Sequence, residues 1–336
     1  MKRKLKNGKN NFMKNKNYKI VNLRALAIIL VVLGHSIIIY KDGWNFYNTD
    51  RNFQFFKYLD AFIYLFHMPL FFSISGYLFI NKCKEKKLNI IVNNKLKRII
   101  IPYIIIGILW VYPIRIFSQY KIFSDHSLIY NIGVNIILGK DNGHLWFLPA
   151  LFCMFIISYL LEKYIKNSKL KYLIIFIMFL SGHILNLSWI SETLKYMVWF
   201  YLGDFLKQWS IESKMRYKKT ISILFLTLIV IYFFTYNLND YLSIALKYMV
   251  CLTIIPLLYN MITCKKIKIL DNISKYSFGI YLFHSPMIYI TFRYFPNVNP
   301  LLMLFINFVF FGLIAYSITY LIDKSKFKFI IGGEHG

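Results

Sequence analysis

Long apolar runs alternate with short polar stretches along nearly the whole chain. A helix that crosses a bilayer needs about 20 predominantly apolar residues. Runs of that kind cover 20–40, 58–80, 99–117, 143–161, 172–190, 192–210, 218–236, 241–262, 276–295 and 300–322. The pattern predicts an all-α polytopic membrane protein built as a single bundle of about ten transmembrane helices. Its fifth and sixth members are the least distinct, because only a turn within "NLSWISETLK" separates them. Inside 118–142, the run "SLIYNIGVNIILG" is too short to span, which predicts an interfacial helix within an external loop.

Charge tests that count independently, since Lys and Arg gather in cytoplasmic loops. Residues 1–19 carry eight basic groups, 81–98 seven against one acid, and 162–171, 204–219 and 263–275 four, five and four. The intervening segments are poorer: 41–57 has three basic and two acidic residues, 118–142 two of each, and 237–240 only Asp240. The alternation places both termini in the cytoplasm, as an even number of spans requires. It divides the chain into a basic tail over 1–19, a membrane domain over 20–322 and a short C-terminal tail over 323–336. The basic tail resembles a signal-peptide n-region, but no small-residue cleavage site follows, so an uncleaved first span is expected. Neither an internal repeat nor the broken inverted segments of many transporters are evident, and no soluble domain is expected on either side.

Composition agrees. The 336 residues are 58% hydrophobic and 19% aromatic, with mean hydropathy +0.50, too apolar for a domain with a polar surface. A net charge of +27 raises nucleic acid as a partner, but the basic residues punctuate apolar runs instead of forming a stripe on a soluble face, and no nucleic acid is expected. Cys83, Cys153, Cys251 and Cys264 form no CxxC pair, and neither a disulfide framework nor a metal site is indicated.

Ionisable groups inside the runs then need reasons, since they mark functional cavities by default. In "NLRALAIILVVLGHS", Arg24 and His35 are eleven residues apart. At 100° per residue they share one helix face, separated by about 16 Å along the axis. Arg24 alone also fits a snorkelling side chain; His35, with Gly34 and Ser36 beside it, fits a cavity lining. In the second run, Asp60 and His67 lie seven apart and nearly on one face, with Asp60 at a depth comparable to His35. A carboxylate beside an imidazole holds its tautomer and raises its basicity; a solvated interfacial Asp60 fits equally. His67 fits a helix–helix hydrogen bond, and "SISG" after it supplies small residues for close packing. His144, in "NGHLWFLPALF", fits an interfacial structural position that could touch an external acceptor. His284 lies mid-span two residues before Pro286. Lys95, Lys97 and Arg98 in "KLKRIIIPY" fit charge anchoring, and with Arg24 on the same side they also suit the phosphates of an anionic donor.

The arginine, ten residues and histidine of "RALAIILVVLGH" resemble the signature of the acyltransferase-3 family of membrane O-acyltransferases. "FHMPLFFSISGYLF", "KRIIIPY", "GHLWFLPALF" and "YSFGIYLFHSPM" resemble further segments of that family, nearest to its small fucose-4-O-acetylase-like polysaccharide acetylases. The resemblance implies transfer of an acyl group, usually acetyl from acetyl-CoA, to a hydroxyl of a cell-surface polysaccharide or glycolipid, in a bacterial plasma membrane and alongside glycan-assembly proteins. It makes Arg24 and His35 the essential pair, with His35 as general base or transient acyl carrier, and maps a paired-arginine donor motif onto Lys95 and Arg98. Lysine at 95 keeps the charge and loses the bidentate fork. Asp60 completes the expected catalytic set, His67, His144 and His284 are candidate acceptor contacts, and no permanently bound cofactor or metal is expected. The rival readings are a transporter or flippase of a polysaccharide or its lipid-linked precursor, and a structural subunit of a glycan-assembly complex.

Overall fold

The computed structural model describes residues 16–209, 217–235 and 240–333, and among them there are helices and turns but no strand. Its long helices fall on the apolar runs: α1 (Tyr18–Ile37), α2 (Gln54–Cys83), α3 (Leu88–Phe117), α4 (Gly143–Tyr164), α5 (Ser168–Ile184), α6 (Trp189–Gln208), α7 (Lys218–Thr235), α8 (Asp240–Met261), α9 (Lys268–Tyr294) and α10 (Pro300–Lys324). Seven helices among the described residues are long and apolar enough to cross a membrane: α1 continued to Tyr40, α2, α3, α4, α7, α8 and α10. The other three fall short for visible reasons. Helix α5 has only 17 residues, α6 carries Glu192, Lys195, Asp204 and Lys207, and α9, although uncharged from Tyr276 to Phe292, holds His284, Pro286 and several Ser and Tyr residues that lower its apolarity. The expected tail over 1–19 lies mostly outside the described residues.

Contacts between the turns sort the bundle into two ends. At one, Glu162 binds Lys84 at 3.0 Å and Lys171 at 2.7 Å, joining the α2–α3 and α4–α5 junctions. Asn22 of α1 donates to the carbonyls of Thr263 and Lys265 at 2.9 and 3.0 Å, bringing in the α8–α9 junction. These are the lysine-rich segments, and this is called the basic end. At the opposite end, Thr49 donates to the Pro296 carbonyl at 2.8 Å, Tyr294 to the Phe117 carbonyl at 2.8 Å, and Ser188 to the Gly139 carbonyl at 2.7 Å. The charge alternation along the chain is thus matched by segregation in space.

The interior is built by close approach. Gly76 of α2 sits on the backbone of Phe200 in α6, and Gly203 of α6 sits on the backbone of Ser73, so any Cβ at either glycine would collide with main chain. Small residues let two helices meet backbone to backbone where lipid offers no hydrophobic drive, as "SISG" led one to expect. Helix α3 widens into π-type turns at Leu96–Ile100 and Gly107–Val111, each with a proline two residues beyond its end, Pro102 or Pro113. Proline has no N–H for the preceding turn and its ring crowds that turn's carbonyl, so the ladder opens there. The segment expected to hold a short helix forms one at Leu128–Ile137. One side of it buries Asn131, Asn135 and Ile136, while Leu128 and Ile129 stay exposed.

Candidate active site

Helix α1 starts beside Asn17, whose side chain accepts from the Ile20 amide at 3.4 Å, and carries both Arg24 and His35 in one unbroken run. Its inner face packs on α9, which places His284 against His35. The Nδ1 of His35 lies 2.8 Å from Nε2 of His284, and the two rings stack with centroids 5.0 Å apart and planes at 24°. His284 is fully buried, and its Nδ1 faces the carbonyl oxygens of Ile280 and Tyr281 at 2.8 and 3.0 Å. Carbonyls only accept, so Nδ1 of neutral His284 carries the proton and its Nε2 is an acceptor. His35 must then donate through Nδ1, which leaves the lone pair of His35 on Nε2. Two backbone carbonyls thereby set the tautomer of a histidine on another helix.

His144 closes the group. Its ring is 5.5 Å from that of His284 and 6.3 Å from that of His35, its Nε2 lies 3.3 Å from the Leu282 carbonyl, and the Tyr281 hydroxyl donates to its own carbonyl. His144, at the start of α4, is thus buried against α1 and α9. The cause is the turn at 143–146, where Gly143 adopts φ of 57° and sits so close to the Arg115 guanidinium that a side chain there would displace it.

Two expectations are corrected. Asp60 is fully buried, yet its carboxylate oxygens have no hydrogen-bond partner among the described residues, so the expected carboxylate–imidazole pair is replaced by the His35–His284 pair. The physical reason is that Tyr64, one turn further along α2, occupies the flank of His35, with ring centroids 6.3 Å apart. His67 bonds within its own helix, Nδ1 to the Ile63 carbonyl at 2.9 Å, with its ring edge-on to Tyr64 at 4.7 Å, instead of bridging to another helix.

At the basic end, Arg24, Lys95 and Arg98 line one cavity of about 340 Å³, as their sequence positions suggested. Lys82 and Lys86 join them, giving five cations and no acid among the lining residues. The Lys95 ammonium stands 3.5 Å from the ring centroid of Phe155, so part of its charge is met by an aromatic face. Outside the spans, the Glu162 carboxylate holds the Lys84 ammonium above its usual range. All four cysteines are free, and no group of three His, Cys, Asp or Glu side chains among the described residues is placed to hold a metal.

The sequence reading passed over two intramembrane cations. Lys247 of α8 lies half-buried within electrostatic reach of His67 and Lys41. Arg115 of α3 is buried, 3.2 Å from Asp141 and with its guanidinium 4.3 Å from the Tyr120 ring centroid. The signal that singled out Arg24, an ionisable residue inside an apolar run, applies to both.

The sequence model of the acyltransferase-3 family, described as an acyltransferase domain, matches residues 17–324. A stretch of 58 residues is 52% identical to nodulation protein NolL of Sinorhizobium fredii, covering 17% of this chain and 14% of that protein. No solved structure matches the chain. With the family match running from before α1 to the end of α10 and taking in every residue of both clusters, the chain is a member of the acyltransferase-3 family.

Proposed function

We propose that the protein is a multi-pass O-acyltransferase of the bacterial plasma membrane, with ten spans and both termini in the cytoplasm. It moves an acetyl group from cytoplasmic acetyl-CoA to a hydroxyl of a cell-surface polysaccharide or glycolipid. The observation that carries this reading is helix α1: one end opens on a cavity of five cations and no acid, and the other holds His35 on His284. The all-cation cavity suits the phosphates of coenzyme A, with Arg24 and Arg98 offering forked donors and Lys95 a point charge. A flexible thioester arm anchored there runs along α1 toward His35.

At His35 the lone pair on Nε2 is available as a base. The acceptor hydroxyl gives its proton to Nε2 as its oxygen attacks the thioester carbonyl carbon; the C–S bond breaks and the proton passes on to the departing thiolate. The products are an acetyl ester and free coenzyme A. In the two-step variant, Nε2 attacks the thioester carbonyl and the C–S bond breaks to release the coenzyme thiolate; the acceptor oxygen then attacks the acetyl-imidazolium, the N–C bond breaks, and the hydroxyl proton, taken up by the freed Nε2, passes to the thiolate. Both routes use the same tautomer. His284 is a positioning residue for either.

The deciding experiment compares acetyl ester on surface glycans of cells making the intact protein and cells making His35→Ala protein that inserts at the same level. Loss of acetyl ester with unchanged glycan export is expected. Acetyl ester that survives the substitution overturns the reading, and lost export with normal acetylation favours the flippase.

A further inference from the structure

At the end opposite the basic cavity, a second cavity of about 430 Å³ lies between the 139–146 segment and the start of α6. Its charged lining residues are Lys140, Lys195, Asp141 and Glu192, two cations and two acids. The cations are already engaged: Lys195 binds Glu192 at 2.8 Å, and Lys140 donates to the Tyr130 hydroxyl at 3.1 Å. Such a site, with equal numbers of cations and acids, contrasts with the cavity at the other end, whose lining has five cations and no acid. Two half-buried indoles, Trp146 and Trp189, share the wall with Asn186. The Trp189 nitrogen donates to the Leu138 carbonyl at 2.9 Å, which fixes the ring, and Gly139 in a left-handed conformation at φ of 71° lets the loop approach that ring.

Fixed aromatic faces beside neutralised polar groups are the chemistry of sugar recognition. The C–H face of a pyranose is apolar and stacks on an indole, while its hydroxyls both donate and accept, so they match an amide and an ion pair equally well. The volume falls in the range of small-ligand sites, roughly 300–1,000 Å³. Position agrees too. Trp146 and His144 lie on the same turn, and His144 belongs to the histidine group while Trp146 faces the cavity.

We propose that the cavity bounded by Trp146, Trp189, Asn186 and the Glu192–Lys195 pair is a subsite for an uncharged sugar residue of the acceptor chain, next to the residue that is acetylated. This rests on the acyltransferase reading and adds the acceptor's class: a neutral glycan of at least two sugar units, held away from the reacting hydroxyl.

The test uses the full-length protein and deacetylated oligosaccharides released from the surface polysaccharide of the cell that makes it, graded by length. Trp189→Ala should raise the KM for the longer oligosaccharides by about 5- to 20-fold, the loss of one stacking contact, with kcat and the KM for acetyl-CoA unchanged. Because Trp189 also holds Leu138, Glu192→Gln is the second variant, and a several-fold rise in the same KM is expected. Calorimetric binding of the longest oligosaccharide, measured in the inactive His35→Ala background, should weaken to the same degree when Trp189→Ala is added. An acceptor KM unmoved by both substitutions, or a drop confined to kcat, overturns the subsite while acetyl transfer stands. Oligosaccharide binding sensitive to Trp189, in an intact protein with no acetyl transfer, overturns the acyltransferase reading and keeps the subsite.

Discussion

In the proposed reaction His35 acts only if its free lone pair faces the acceptor, and that orientation depends on His284, which does no chemistry itself. Removing the His284 imidazole takes away a hydrogen bond of the 1–3 kcal/mol kind and frees His35 to adopt either tautomer. His284→Ala should lower kcat by about 10- to 100-fold without moving the KM for acetyl-CoA, and single-turnover kinetics in detergent would read the split. Equal loss of donor binding would show that the substitution had disturbed the fold. Asp60 leads to the opposite expectation. A buried carboxylate with no hydrogen-bond partner is a burden to the fold, so Asp60→Asn should leave acetyl-CoA binding unchanged and the thermal midpoint equal or higher. That Arg24 and His35 share a helix face could be read from their spacing. That the partner of His35 is His284 could not, because they stand 249 residues apart and no periodicity relates two helices.

Helix α2 crosses α6 at two glycines, and the crossing positions much of the rest, since α2 also carries Asp60, Tyr64 and His67 beside the site. A side chain at Gly76 must move the α6 backbone, whereas the Cβ of Gly133 would meet nothing within 4 Å. Gly76→Val should therefore cost about 1–3 kcal/mol or more, seen as a lowered melting temperature in detergent, and Gly133→Ala should stay within about 0.5 kcal/mol of the parent. The glycine of "SISG" was legible as a packing residue from the run of small residues it belongs to. Its partner on α6 was not, because any helix of the bundle offers a surface and only the assembled fold selects one.

Across the whole molecule, charge is sorted by end, with lysine-rich junctions and the five-cation cavity on one side and the mixed-charge cavity on the other. Arg98→Ala should weaken acetyl-CoA binding about tenfold, the loss of one charge-assisted contact, and raising salt should weaken the parent further by screening. Lys95→Arg should keep the affinity, since charge at that position persists. Binding indifferent to both Arg98→Ala and salt would place the donor elsewhere. Orientation has its own check: Cys264 is exposed at the basic end, so an impermeant maleimide should label it only after the membrane is opened. Labelling in intact cells would reverse the proposed topology.

The hydrophobic pattern was enough to specify a helical membrane bundle, the position of each long helix and the sorting of basic turns, because these depend on local run length and on charge within a few residues of each run. It also placed Arg24, Lys95 and Arg98 on one side, since turns that alternate along the chain alternate in space. It overstated the helices that meet the length and apolarity of a span, because α5 is short and α6 and α9 trade apolar surface for polar residues buried against neighbours. The grouping of His35, His144 and His284, the isolation of Asp60 and the shape of the two end cavities belong to the fold. Each depends on which helix faces touch, and that is settled by steric fit across hundreds of residues of chain, a property that no local pattern encodes.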